Sequence, residues 1–160
     1  MSGTSGRAEP HNGTVIDTRL VGYWSDRDLY LGSPEDSDIA FRPNGSGWAY
    51  WSKWGGVFMV LRFAWHTTAD ARLVLRLRRE LSGSWYLEDS RIKHRVEDQQ
   101  SGQGNLAVAY EISQQTDAYG RSARAVKFSQ QISPSVIGDR FAYIRTITDS
   151  EDDQAGPSEP

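Results

Sequence analysis

The sequence predicts an all-β protein, an antiparallel up-and-down meander closed into a β-barrel of about 8 to 10 strands. Three observations predict it. Short runs with apolar residues at every second position recur from Thr18 to Ile147; turn residues separate them; and no segment of useful length carries a helical period. The 11% aromatic content, with six Trp and seven Tyr, places much of the apolar area in side chains that favour pleated sheet.

The elements follow in order. Thr18 to Trp24 reads as the first strand and leads through Ser25-Asp26-Arg27 into an extended piece at Asp28-Leu29-Tyr30-Leu31. Gly32-Ser33-Pro34-Glu35-Asp36 breaks the run, and Asp38 to Arg42 resumes it. Pro43-Asn44-Gly45-Ser46-Gly47 supplies the positive backbone dihedrals of a tight hairpin whose returning strand is Trp48 to Trp51. Val57 to Trp65 is apolar on both faces, and Leu73, Leu75 and Leu77 then alternate with Val74, Arg76 and Arg78 as a half-buried strand. Arg72, Arg76 and Arg78 form a cationic stripe, read as a solvated outer face or as a contact for an acidic partner. Further strands are expected at Trp85 to Leu87, Arg91 to Val96, Leu106 to Gln114, Ala123 to Ile132 and Phe141 to Ile147. A meander with one apolar face removes its exposed edges best by closing on itself; a two-layer sandwich is the competing arrangement.

Length and charge set the organisation. At 160 residues the chain suits one domain, assigned to 15–148, between an N-terminal tail at 1–14 and an acidic C-terminal tail at 149–160, both expected to be disordered. The net charge of −3 resides in the tails, since 17 basic and 15 acidic residues lie between Val15 and Thr148. That balance provides no basic face for nucleic acid. Cysteine is absent, which excludes disulfides, thiolate nucleophiles and Cys-type zinc sites. Neither a signal-peptide run nor a membrane span is read in the chain, so a cytoplasmic location is expected.

Leu20-Val21-Gly22-Tyr23-Trp24 resembles the Gly-x-Trp first-strand motif of lipocalins and related calycin barrels. Phe41 to Gly47, Phe63-Ala64-Trp65 and Leu73-Val74-Leu75 also look like small bacterial lipocalin-like domains, so the resemblance spans nearly the whole body of the chain. It implies a lipocalin-like barrel closed at one end by Gly22 and Trp24, with Arg145 of the last strand packed over the Trp24 indole as a cation–π pair. Unlike typical secreted members, this sequence contains no cysteine, and no leader is expected.

Chemistry is sparse. His11, His66 and His94 lack the spacing of a metal pair, and no metal or cofactor is expected. His94 shares a side with Ile92 and Val96, either pointing inward or held as a structural histidine. No nucleophile elbow, phosphate loop or dinucleotide fingerprint occurs. Alternation from Arg145 places Tyr143 and Phe141 in the interior, joined by Leu106, Val108, Tyr110, Ile112 and Gln114 of one strand and Val126, Phe128 and Gln130 of the next. Trp48 and Tyr50, in a hairpin that also holds Trp51 and Trp54, are read as an aromatic rim. The ligand-binding set is therefore Trp48, Tyr50, Tyr110, Gln114, Phe128, Gln130, Phe141 and Tyr143, around a hydrophobic small molecule in the lumen. In the opposing reading these aromatics simply fill the interior.

Two further functions stay open. One is a cofactor-free cyclase acting on a polyketide-like intermediate of actinomycete natural-product biosynthesis. Tyr110 and Tyr143 would be its catalytic residues, polarising a carbonyl while the cavity holds the reactive conformer. The other is a protein-interaction module using the Trp-rich hairpin or the Arg stripe. Oligomeric state is left open, a homodimer included.

Overall fold

The computed structural model describes residues 15–132 and 138–148. Both tails, and with them the expectation that they are disordered, lie outside the described residues. Nine antiparallel strands form one sheet: β1 (Gly22–Ser25), β2 (Glu35–Phe41), β3 (Ser46–Lys53), β4 (Val57–Thr67), β5 (Arg72–Glu88), β6 (Arg91–Ser101), β7 (Asn105–Thr116), β8 (Ser122–Phe128) and β9 (Arg140–Arg145). No helix occurs among the described residues, so none is long and apolar enough to cross a membrane.

Hydrogen bonds connect the strands in the order β4-β3-β2-β1-β9-β8-β7-β5-β6, and β4 also pairs with β5. Eight strands thereby close a ring, and β6 lies outside it. The device is the length of β5. Its first half, Arg72 to Arg76, pairs with β7; its second half, Arg79 to Glu88, pairs with β6; and β4 runs along both. The sequence reading placed two strands in this span; the structure makes them one of 17 residues. Closure leaves β6 as the remaining edge, and its Arg91, Lys93, Arg95, Glu97 and Asp98 make that edge a poor template for another strand.

Alternation works as expected on the inner face. Trp24, Ile39, Phe41, Leu61, Phe63, Trp65, Leu73, Leu75, Val108, Val126, Phe128 and Phe141 form one buried core. The β2–β3 hairpin forms where Pro43-Asn44-Gly45 turns the chain, with Gly45 at a φ of 88° and the Arg42 N–H donating to the Ser46 carbonyl at 2.9 Å. Asp28 to Leu31, expected to be extended, is a turn instead: the Leu29 N–H donates to the Asp26 carbonyl at 3.0 Å, and the Asp28 carbonyl accepts from Ala118 at 2.8 Å. The first strand is shorter than expected too, because residues 18–20 form a turn that carries Leu20 into the core. Val15 bridges to Thr67 and ties this leading segment to the end of β4.

Two smaller cores lie on the outer face. Ala40, Trp48 and Ile147 form one, with Tyr23 and Tyr50 against it; Phe58, Val60 and Leu81 form the other, with Tyr50, Trp85 and Val96 against it. These explain why β4 reads as apolar on both sides: Met59, Leu61, Phe63 and Trp65 serve the inner core while Phe58 and Val60 serve the outer one.

Candidate functional site

Trp24 anchors the inner face. It is fully buried, and its indole N–H donates to the Leu20 carbonyl at 2.8 Å, so the leading turn and β1 hold each other. Tyr143 meets the indole edge-on with ring centroids 5.3 Å apart. Gly22 makes this possible: at a φ of 147°, a Cβ there would stand 2.6 Å from the Tyr143 ring.

The cation over Trp24 is Arg124, not Arg145. The Arg124 guanidinium carbon lies 4.1 Å from the Tyr143 ring centroid and 5.6 Å from that of Trp24, whereas Arg145 stands 4.9 Å over Tyr23. A bulge is the reason. Trp24 pairs with Tyr143 but Tyr23 pairs with Arg145, so β9 advances two residues while β1 advances one. Strict alternation would keep Arg145 on the side of Tyr143; the extra residue turns it to the outer face with Tyr23.

Arg124 borders a cleft of about 440 Å³ lined also by Asp28, Asp117, Arg121, Ser122, Ala123, Ala142, Tyr143 and Ile144. The two carboxylates there already have a cation. Arg121 Nε lies 3.0 Å from Asp117 and its terminal nitrogen 3.4 Å from Asp28. Asp117 also accepts the backbone N–H groups of Arg121 and Tyr119, and the hydrogen bond from the Arg121 backbone is the main cause that holds its carboxyl below the usual range. Arg124 has no such partner among the described residues, and its buried Nε makes no hydrogen bond. A guanidinium held over aromatic rings keeps N–H donors that can serve a carboxylate, phosphate or carbonyl oxygen.

The residues singled out from sequence fall into three groups. Tyr110, Phe128, Phe141 and Tyr143 lie on the inner face, with Phe128 and Phe141 fully buried 6.0 Å apart as filling. Tyr110 gives its hydroxyl to Asp17 at 2.6 Å; burial first, then this bond, push the phenol up to about 12. The hydrogen bond from the Arg19 side chain, with Tyr110 behind it, lowers Asp17 to about 2. Tyr110 is therefore a latch on the segment entering β1. Gln114 and Gln130 are exposed: Gln114 accepts from Ser122 Oγ at 3.2 Å, and Gln130 lies in a bend because β8 ends at Phe128.

Trp48 and Tyr50 are not on the inner face. Gly47, Ala49 and Trp51 share the parity that faces inward, so the neighbouring Trp48 and Tyr50 belong to the outer clusters. Tyr50 shares a 2.9 Å hydrogen bond with His94 Nε2, and His94 packs edge-on against Phe58 at 4.8 Å. His94 is thus a satisfied packing residue outside the ring, its pKa lowered by burial. Among the described residues no cluster of three or more His, Asp and Glu is arranged to hold a metal.

Arg124 was missed from sequence although its signal was present. It shares the parity of Val126 and Phe128, one step earlier on β8, and pairs with Gln114 on β7.

Comparison with known proteins returns nothing: no family model matches the chain, and neither does a curated protein or a solved structure.

Proposed function

We propose that the eight-strand ring is a lipocalin-like barrel that serves as a binding protein for a small, mainly apolar molecule with an anionic or carbonyl-bearing end. The observation that carries this reading is Arg124, which lines an open cleft with its guanidinium over the Tyr143 ring and its buried Nε unbonded. A buried polar atom without a partner in a folded protein calls for an explanation, and a ligand acceptor is one that also uses the surrounding surface. Ala123, Ala142 and Ile144 supply an apolar wall, and the Arg121 pairs leave Arg124 as the cation available to a ligand. Binding at this cleft rather than in the centre follows from the core: Trp24, Phe41, Phe63, Phe128 and Phe141 are fully buried against one another inside the ring.

Cofactor-free cyclisation of a polyketide-like chain is the second reading, favoured by the same pair of donors. Arg124 and Tyr143 would polarise the carbonyl, and Tyr110, whose hydroxyl is given to Asp17, would not take part.

Two fluorescent probes test the binding reading: 8-anilinonaphthalene-1-sulfonate, which is anionic, and N-phenyl-1-naphthylamine, which is neutral. Arg124→Gln should weaken the sulfonate by roughly 10-fold or more, the scale of a hydrogen bond to a charged group. The neutral probe should change by less than about threefold, since its contacts are apolar. Unchanged sulfonate affinity, or equal loss of both probes, would remove Arg124 from the site.

A further inference from the structure

Strand β5 outruns the stretch that pairs with β7: its residues 79–88 lie between β4 and β6, and β6 pairs with β5 alone among the described residues. Of the eleven residues of β6 all but His94 and Val96 are exposed. The far edge of β6 thus presents backbone N–H and C=O groups to which no strand is bonded among the described residues.

The charges that turn an unmatched strand away from this edge are ordered along it. Arg91, Lys93 and Arg95 come first, and Glu97 and Asp98 follow. All five share one face. Arg95 stands opposite Ser84, parity sets Arg91, Lys93 and Glu97 on the same side, and the Ser84 hydroxyl donates to Glu97 at 3.0 Å. Asp98 would fall on the other face of a regular strand, but it pairs with Ser82 while Val96 pairs with Gly83, so Glu97 is the extra residue of a bulge and Asp98 joins its side. Gly83 permits the bulge, since a Cβ there would run into the Arg95 carbonyl. His94 and Val96 take the opposite face, where Val96 packs against Phe58, Val60 and Leu81.

A strand that is basic in its first half and acidic in its second is complementary to its own reverse. With two antiparallel copies of β6 related by a two-fold axis at Val96, Arg95 faces the partner's Glu97 and Asp98, and the same contact repeats on the other side of the axis. Lys93 then lies opposite the partner's Gln100 and diagonal to the partner's Asp98, within reach of a long side chain. An axis at Arg95 would set that cation against itself, and one at His94 would set Lys93 against Arg95, so charge selects the register.

We propose that this edge is a homodimer interface in which β6 of two copies pairs antiparallel about Val96, joining two rings through one continuous sheet. The proposal is independent of the Arg124 cleft, which involves other strands.

Two charge-reversed chains test it, one carrying Arg95→Glu and the other Glu97→Arg with Asp98→Arg, all at exposed positions. Sedimentation velocity follows association from about 5 to 500 µM, the range suited to a small polar interface. The parent chain should dimerise within that range. Either reversed chain alone sets like charges opposite each other at two symmetry-related places and should associate roughly 30-fold more weakly or less. Mixed in equal amounts, the two should form a one-to-one heterodimer of about the parental affinity, because each reversal then meets its complement; this recovery also shows that both chains are folded. A parent chain that stays monomeric across the range overturns the proposal. So does a dimer that survives either reversal, since the copies would then meet elsewhere, and so does a mixture that stays monomeric.

Discussion

Asp26 stands at the end of β1 and gives the fold a pH dependence that one substitution isolates. Its Oδ1 accepts the Ser37 backbone N–H at 2.8 Å, yet burial raises its pKa from 3.8 to about 7, with the neighbouring charges of Asp38 and Asp36 adding to the effect. Between those two pH values the folded chain holds a proton that the unfolded chain releases, so this group's contribution is complete below pH 3.8 and is lost as pH rises through about 7. At 1.36 kcal/mol per pKa unit the full displacement corresponds to about 4 kcal/mol, and relaxation with water entry reduces it to roughly 1–3 kcal/mol. Asp26→Asn keeps an acceptor for Ser37 and cannot ionise. At pH 8 the variant should therefore melt above the parent, by about 3 °C for each kcal/mol in a chain of this size; at pH 4 the two should coincide. Thermal unfolding followed by circular dichroism from pH 4 to 8 measures the gap, and titrating groups not coupled to Asp26 cancel in the difference. Parallel curves, or a variant less stable at pH 8, would show that the Asp26 carboxyl is not held protonated by its surroundings.

Two further outcomes test the packing. Gly47→Ala should destabilise by about 1–3 kcal/mol or more, the usual range for overpacking, because its Cβ would stand 2.5 Å from both the Ala40 carbonyl and the Phe63 ring; chemical denaturation checks this, and a neutral effect would mean the β2–β3 pair has slack. Tyr110→Phe should lose roughly 1.5–3 kcal/mol, the range for a hydrogen bond to a charged group, while binding of the anionic probe stays unchanged, since its hydroxyl serves Asp17 rather than the Arg124 cleft. In the same variant the Asp17 carboxyl should titrate higher than about 2, because one of the two side-chain donors that lower it is gone; carboxyl NMR against pH would reveal it.

Period-two patterning determined the all-β class, the antiparallel order and most inner-face residues by itself, because side-chain direction along an undisturbed strand depends only on parity. Trp24, Phe41, Leu61, Phe63, Leu73, Leu75, Val108, Val126, Phe128 and Phe141 were all accessible that way. The candidate site was accessible only in part: Tyr143 was found, Arg124 beside it was passed over, and Trp48 and Tyr50, read as an aromatic rim, pack in the outer clusters. Tertiary structure decided whatever parity cannot carry across an irregularity. A single extra residue in β9 sends Arg145 outward and leaves Trp24 to Arg124, and another in β5 brings Arg78 and Arg79 to one cleft. No local signal marks those bulges, since they arise where strands of fixed length must meet around a closed ring. The two-partner role of β5 has the same origin: which neighbour a strand takes along its length is set by the curvature of the whole sheet, not by the residues of that strand.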